Sequence, residues 1–182
     1  ADEVDLQPRP ANFADANQHL TSMQADVVLA AFGYNESFAG KEGLPAFRER
    51  LTKYLEDIKA KAYNGKTAAR VVLVSPVANE NVEGVAAADR NNGNIRVYLQ
   101  VMKEVATKQK VGFVDAYTAT EKAMASPGND LTMNGCHLNE KGYQLFASTV
   151  FKQLFGKDAP KLDEKVRTAV MEKNKQHFFR YR

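Results

Sequence analysis

The sequence contains a single cysteine and no Cys/His cluster, no glycine-rich phosphate loop and no apolar run of transmembrane length. One cysteine excludes an internal disulfide framework. The other absences remove support for a metal site, for nucleotide binding and for a membrane span. We therefore expect neither a metal nor a cofactor. Internal repeats and low-complexity tracts are absent as well.

The charges are not clustered. The formal net charge of the 182 residues is +3, and acidic and basic residues alternate along the chain. A nucleic-acid footprint needs a basic cluster, so we expect no nucleic-acid partner. The basic residues near the C-terminus are interleaved with Asp163, Glu164 and Glu172, which is typical of a solvated helix face. The length and the 44% hydrophobic content fit one globular domain with a sizeable core.

What the sequence does contain is an alternation of short apolar segments with amphipathic ones. Strands are predicted at 25–32, 70–74 and 111–115, and helices at 11–24, 44–62, 91–108, 116–125, 140–155 and 161–176. This order predicts right-handed crossovers and a parallel sheet with helices on both faces, a flavodoxin-like three-layer α/β fold. We assign residues 1–156 to this domain and 157–182 to a charged C-terminal helix and tail.

Two predictions concern which side chains are buried. The run at 25–32 is short, continuous and rich in β-branched residues, so we expect a strand buried on both faces. In the first predicted helix, Leu20 and Met23 are expected to face inward. The helix at 140–155 is expected to bury five apolar side chains at helical spacing: Tyr143, Phe146, Val150, Phe151 and Leu154.

Polar residues follow the first strand directly: Gly33, Tyr34, Asn35 and Glu36. Ligands of open α/β sheets bind outside the carboxyl ends of the strands. Gly33 permits a tight turn there, and the Asn35 amide can donate to a developing oxyanion. The alternative is a Gly-Asn turn that only ends the strand.

A histidine lies in a loop before the helix at 140–155. His137 is the candidate general base, and the alternative is a capping or core histidine. Asn139 is suited to cap the helix that follows. We expect His19 and His177 to be surface residues, and we expect Asn35 and His137 to lie at the same edge of the sheet.

These two stretches resemble signature blocks of the SGNH (GDSL-type) hydrolases. Gly33-Tyr34-Asn35-Glu36 is similar to the Gly-x-Asn-Asp block, and the segment 134–143 is similar to the Asp-x-x-His block with its Asn-x-x-Gly-Tyr helix start. The resemblance implies a carboxylic-ester hydrolase acting on an acyl or acetyl ester, plausibly of a carbohydrate. It implies that His137 is the base, that Asn35 is an oxyanion donor and that Gly33 shapes the loop.

The chain departs from the family pattern at two positions. Nothing in 1–10 resembles the Gly-Asp-Ser block, so the nucleophile is unknown. We expect the chain to start inside the domain and to lack its first strand or strands, leaving an exposed apolar edge or face. The competing account is a single domain that begins with a different element. The second departure is Asn134, which stands where the family has an acid; an amide orients an imidazole but does not stabilise an imidazolium electrostatically.

The chain offers other residues for the missing roles. Asp130 is the alternative orienting acid. Ser37 and Ser75 are available hydroxyls but do not sit in an elbow-type turn. Cys136 is expected to point away from His137, as neighbouring side chains do in an extended loop, and to be a small buried hydrophobe.

The alternatives to an enzyme are a non-catalytic binding or scaffolding module with a hydrolase fold, and a flavodoxin-like ligand-binding protein. The chain also resembles the SGNH-like modules of large exported bacterial proteins that carry a cytochrome-c-like haem module. That resemblance implies an extracytoplasmic location, periplasmic or secreted, with other domains of a longer parent chain as partners.

Overall fold

The structure is a computed structural model that describes residues 2–84, 86–126 and 128–181, without the side chain of Tyr181. Its regular elements, in chain order, are α1 (Ala16–Ser22), β1 (Val27–Ala31), a 3-10 segment (Glu36–Gly43), α2 (Leu44–Lys59), β2 (Arg70–Val74), α3 (Ala88–Gln109), β3 (Gly112–Val114), α4 (Ala116–Met124), α5 (Glu140–Phe155) and α6 (Glu164–Tyr181). The alternation of strands and helices is the one predicted.

The three strands form one parallel sheet in the order β1-β2-β3. Val27 pairs with Arg70, and Val72 pairs with Gly112. The carboxyl ends of all three strands therefore meet at one edge, which we call the rim. The α/β fold with a parallel sheet is confirmed, and the sheet has three strands in the described part of the chain.

One face of the sheet is covered by α2 and α3. Both helices carry apolar residues at helical spacing, and these residues pack on the alternate strand residues that point toward them. The resulting core contains Val28, Ala30, Phe47, Leu51, Leu55, Ile58, Val71, Leu73, Tyr98, Val101, Met102 and Val105.

The opposite face is covered in part by α5, which packs beside β3. Val74 and Val114 contact the half-buried Phe146 and Val150. The prediction that α5 buries all five of its apolar residues is wrong, because Tyr143 is 61% exposed and Leu154 is 36% exposed. The helix lies over one side of the sheet only, so the flanks of its apolar stripe reach past the strands.

The prediction that the first strand is buried on both faces is also wrong. Val28 and Ala30 are buried under the helices, but Val27 is 44% exposed and Leu29 is 55% exposed on the other face. The reason is that α5 lies beside β3, at the far side of the sheet from β1. Strand β1 is an edge strand in the described chain, and it has the exposed apolar face expected for a sheet that lacks its first strands.

The first helix packs partly against the core, whereas the last helix is exposed. Helix α1 begins at Asp15, whose carboxylate and the Gln18 side chain form a capping box. It ends early, so that Leu20 packs against the core but Met23 is 78% exposed, contrary to prediction. Helix α6 is exposed along its length. Among the described helices, none has the length and apolar character needed to cross a membrane.

Candidate active site

The loop after β1 is folded around the buried carboxylate of Glu36. Its Oε2 accepts from the Gly33 N–H at 2.9 Å, and its Oε1 accepts from the Val4 N–H at 3.0 Å. Gly33 has φ +99°, and a Cβ there would lie 2.9 Å from the Met102 sulfur. Glycine is therefore required by both backbone conformation and space. The carboxylate at this position braces the loop.

Asn35 lies at the rim, but its side chain is engaged. Its Nδ2 donates to the backbone oxygen of Asp2 at 2.8 Å. One of the two N–H groups of this amide is thus bonded to the N-terminal segment in this conformation, and the second has no acceptor among the described residues.

The His137 loop is a tight turn closed at its base. The Met133 N–H donates to the His137 oxygen at 2.8 Å, and the Asn139 N–H donates to the Leu131 oxygen at 2.9 Å. Asn139 also caps α5 by accepting from the Gly142 N–H at 3.0 Å. These bonds close the loop, and His137 within it is exposed.

Asn134 holds the imidazole of His137. Its Oδ1 accepts from the His137 backbone N–H at 2.9 Å and lies 3.1 Å from the ring Nδ1. In the tautomer protonated at Nδ1, this ring N–H donates to Asn134 and Nε2 keeps its lone pair. No described residue hydrogen-bonds to Nε2. In the other tautomer the Asn134 Nδ2, 3.0 Å from Nδ1, donates to that nitrogen, and Nε2 carries the proton.

The prediction that Cys136 points away from His137 is wrong. The Cys136 sulfur lies 3.2 Å from Nδ1 of His137, and the residue is only half-buried. The expectation assumed an extended loop, but Gly135 has φ +88° and turns the backbone so that the neighbouring side chains converge. Cys136 and Asn134 therefore share one ring nitrogen.

The loop after β2 joins these two segments. Asn79 is 6% exposed, and its Nδ2 donates to the Gly135 oxygen at 2.9 Å and to the Tyr34 hydroxyl at 3.2 Å. Burial raises the pKa of the Tyr34 phenol; the Asn79 donor opposes this shift and the nearby Cys136 thiol adds to it. Through Asn79, the loop that carries Asn35 and the loop that carries His137 are tied together at the rim.

Glu80 fixes the base of the His137 loop. Its carboxylate accepts from the backbone N–H of Leu131 at 2.8 Å and of Thr132 at 2.7 Å, and also from the Thr132 hydroxyl. Its own N–H donates to the Gly135 oxygen at 2.9 Å. These four hydrogen bonds join segments that lie about 50 residues apart in the sequence, and they hold the His137 loop against the end of β2.

A family model describes the chain. The GDSL-like lipase/acylhydrolase family matches residues 5–145. The chain belongs to this family. No curated protein sequence matches it.

Two structures of known proteins have the same fold as this GDSL-like domain. An acetylxylan esterase from Geobacillus stearothermophilus is 16% identical with a TM-score of 0.58, and the match covers 78% of this chain and 65% of the esterase. A lipase/acylhydrolase from Enterococcus faecalis is 21% identical with a TM-score of 0.54, covering 81% and 70% of the two chains. The chain thus spans about two thirds of the length of these proteins.

The serines at the rim of this GDSL-like domain serve the fold. The Ser37 hydroxyl donates to the Tyr34 oxygen at 2.6 Å. The Ser75 hydroxyl accepts from the backbone N–H groups of Ala116 and Tyr117 at 2.9 and 3.0 Å. Each serine is 2% exposed, so neither hydroxyl can reach a substrate.

Asp130 and the other histidines lie outside the contacts described above. Asp130 accepts through its backbone oxygen from Asn139, and its carboxylate has no partner among the described residues. His19 is exposed and packs on Phe13, and His177 is exposed on α6. In the described part of the chain, no three His, Cys, Asp or Glu side chains are grouped as a metal requires.

Asn79 and Glu80 are not among the candidate site residues that the sequence singles out. The signal that was available is their position directly after a buried strand of a parallel sheet, where polar residues collect around a site. Their partners in the segment 131–135 lie too far along the chain for a spacing pattern to reveal them.

Proposed function

We propose that this chain carries the base and oxyanion part of a GDSL-type ester hydrolase. His137 is the general base, Asn134 positions its ring, and Asn35 donates to the oxyanion through the N–H that Asp2 does not use. The observation that supports this most is the exposed imidazole, held at Nδ1 by Asn134 and open at Nε2. In the tautomer protonated at Nδ1, this is the arrangement in which a histidine removes a proton from an attacking group.

The nucleophile is proposed to be a serine on a strand added to the free edge of β1. A further parallel strand at this edge would end beside the Gly33–Glu36 loop, within the same rim as His137. It would also bring a connection that can cover the exposed Val27 and Leu29. Without such a hydroxyl no acyl-enzyme forms, and only weak catalysis remains.

The substrate class is proposed to be an acyl or acetyl ester, with a carbohydrate as the alcohol. The fold similarity to an acetylxylan esterase supports the acetyl-carbohydrate assignment. The amide at position 134 predicts a slow base, because the analogous acid-to-amide change in a serine protease lowers turnover about 10⁴-fold. We also propose that the chain belongs to a longer parent protein that carries a cytochrome-c-like haem module and is located outside the cytoplasm. This part of the proposal is supported only by the resemblance of the sequence.

The first test is hydrolysis of a chromogenic acetyl ester by this chain, by Asn134→Asp and by His137→Ala. We expect all three to match buffer, since restoring the acid improves a base that has no nucleophile to activate. If the unmodified chain hydrolyses the ester and His137→Ala does not, a nucleophile is present, and Ser37, Ser75 and Cys136 are the residues to replace.

The second test supplies the nucleophile. The substrate is nitrophenyl acetate, and hydroxylamine is added as the nucleophile. Its nitrogen attacks the ester carbonyl, nitrophenolate leaves, and His137 accepts the proton from the nitrogen, so that acetohydroxamate forms. We expect a rate about tenfold above that of His137→Ala, below the about 10²–10⁴-fold of a well-positioned general base because the amide at position 134 makes a slow base, and a further increase for Asn134→Asp. His19→Ala is the matched control. Equal rates for the chain and His137→Ala would refute the role of the base.

The second candidate is a non-catalytic binding or scaffolding module. The contact between Asn35 and the Asp2 backbone favours it, because one N–H of the proposed oxyanion donor already has an acceptor in the chain. The two candidates differ in the hydroxylamine experiment, where a module without catalysis gives no His137-dependent rate.

A further inference from the structure

The tautomer of the His137 ring decides whether Nε2 can act as a base, and two side chains contact the nitrogen that sets it. Asn134 lies at Nδ1 with both ends of its amide, Nδ2 at 3.0 Å and Oδ1 at 3.1 Å. The Cys136 sulfur lies 3.2 Å from the same nitrogen. Among the described residues no other side chain bonds to Nδ1, so these two are the groups that can select the tautomer.

Asn134 by itself favours the tautomer that cannot act as a base. Its Oδ1 already accepts from the backbone N–H groups of His137 at 2.9 Å and of Cys136 at 3.4 Å. An amide oxygen has two lone pairs, so little acceptor capacity is left for a proton on Nδ1, and the amide nitrogen only donates. Beside this amide alone, the ring keeps its lone pair on Nδ1 and its proton on Nε2, which is the wrong tautomer for removing a proton.

The Cys136 sulfur is placed as an acceptor, and Tyr34 contributes to this placement. The Tyr34 oxygen accepts from Asn79 Nδ2 at 3.2 Å, so its own proton is free for another acceptor. Burial raises the pKa of the Tyr34 phenol, the Asn79 donor lowers it, and a hydrogen bond with Cys136 raises it again. The phenol therefore stays protonated and can donate to the sulfur. With the ring protonated at Nδ1, the sulfur faces two donors, and this arrangement suits a thiolate.

We propose that Cys136 is a positioning residue for His137: its thiolate accepts the proton on Nδ1 and leaves Nε2 free to act as the base. The thiol releases its proton to solvent, Nε2 gives up its proton to water, and Nδ1 takes one up. The thiolate then supplies the negative charge that a carboxylate at position 134 would supply. This inference rests on the proposed role of His137 as the base. The tautomer is measured without catalysis, however, so the two proposals can fail separately.

The other ionisable groups around this pair do not change in the pH range in which a thiol ionises. They are Tyr34 in the loop after β1, Glu80 in the loop after β2, and Asp130, Glu140 and Lys141 in the segments that flank the His137 loop. Carboxylic acids and lysines titrate outside the range from about pH 7 to about pH 9.5, and burial keeps Tyr34 protonated. Within this range the ionisation of the thiol is therefore what can move the tautomer.

The test follows the ring-nitrogen chemical shifts of His137 by NMR from about pH 7 to about pH 9.5, together with the ultraviolet absorbance of the thiolate. The absorbance of Cys136→Ala is subtracted, because tyrosines absorb in the same region. We expect the ratio of the Nδ1–H to the Nε2–H tautomer to rise about tenfold in step with the thiolate, as a hydrogen bond to a charged acceptor would cause. His19, which has no contact with Cys136, is the internal control and should keep its tautomer ratio.

Variants separate the charge of Cys136 from its size. Cys136→Ser and Cys136→Ala cannot form the anion, so the Nε2–H tautomer should persist over the whole range. Cys136→Asp and Asn134→Asp each place a carboxylate beside the ring and should hold the Nδ1–H tautomer throughout. Met133→Ala, at an exposed position of the same loop, is the matched control and should titrate like the unmodified chain. The proposal would be overturned by a tautomer ratio that stays constant while the thiolate forms, by the same rise in Cys136→Ala, or by a thiol that stays protonated throughout the range.

Discussion

Replacing Glu80 by alanine tests whether one carboxylate holds the His137 loop in place. Its two oxygens accept from the backbone N–H groups of Leu131 and Thr132, and the hydroxyl of Thr132 adds a third bond. Leu131 is 2% exposed and Thr132 is 8% exposed. Their N–H groups therefore lose their acceptor in a buried environment.

The magnitude follows from these contacts. A buried donor without an acceptor costs about 1–3 kcal/mol, so two such donors would cost about 2–6 kcal/mol. Because Glu80 also lines an open cavity, water can reach part of the space it leaves, and we expect a loss of about 3 kcal/mol in the free energy of unfolding. Glu80→Gln should lose about half as much, because its oxygen still accepts one N–H while its amide group faces a second donor.

The free energy of unfolding is measured by urea denaturation, and the local effect by hydrogen exchange of the amides of residues 131, 132 and 135. Glu83→Ala is the matched control, since this exposed carboxylate of the same loop has no partner among the described residues. The reasoning would be refuted by a loss below about 0.5 kcal/mol, or by unchanged amide protection. A large loss shared by Glu83→Ala would show that the loop sequence, and not the carboxylate, matters.

Two further predictions concern the elements that flank the site. Gly142→Ala should lower the free energy of unfolding by about 2–3 kcal/mol, because its Cβ would lie 2.2 Å from the Leu131 oxygen. Gly93→Ala is the control: it has open space around it and should stabilise α3 by about 0.5–1 kcal/mol. Thermal unfolding of the two variants measures both effects. Burial would raise the pKa of Asp115, but hydrogen bonds from Lys103 and Thr118 outweigh it and hold that pKa below the ordinary 3.8. Its stabilisation is therefore present above the unfolded value of 3.8 and lost as the pH falls through the lower folded value, so the advantage over Asp115→Asn in urea denaturation should shrink in that window.

The sequence predicts those helices and strands whose hydrophobic pattern is regular and whose ends are marked by turn or capping residues. Strand 70–74 and helix 140–155 have the predicted bounds, because turn or capping residues such as Asn139 mark their ends. The inward stripes of α2 and α3 follow from helical spacing. The exposure of Val27 and Leu29 could not be predicted, since a continuous apolar run is the same whether one face or both faces are covered.

The sequence predicts which residues take part in the candidate site, but not which contacts they make. Asn134 and His137 are three residues apart, and a turn brings their side chains together. The approach of Cys136 depends on one positive φ angle at Gly135, and the capture of Asn35 by Asp2 depends on the path of a segment 33 residues away. Neither feature leaves a periodic signal.

The rim is held by two carboxylates that act alike at neighbouring strands. Glu36 accepts two backbone N–H groups after β1, and Glu80 accepts two after β2. These four hydrogen bonds involve neither a nucleophile nor the imidazole of His137. The shape of the site is therefore independent of the chemistry it would perform, and a chain of this family can keep its rim after the catalytic groups have changed. For the same reason His137→Ala is a clean variant in the hydroxylamine assay: the ring is exposed, its removal leaves both braces intact, and a change in rate reports on the base alone.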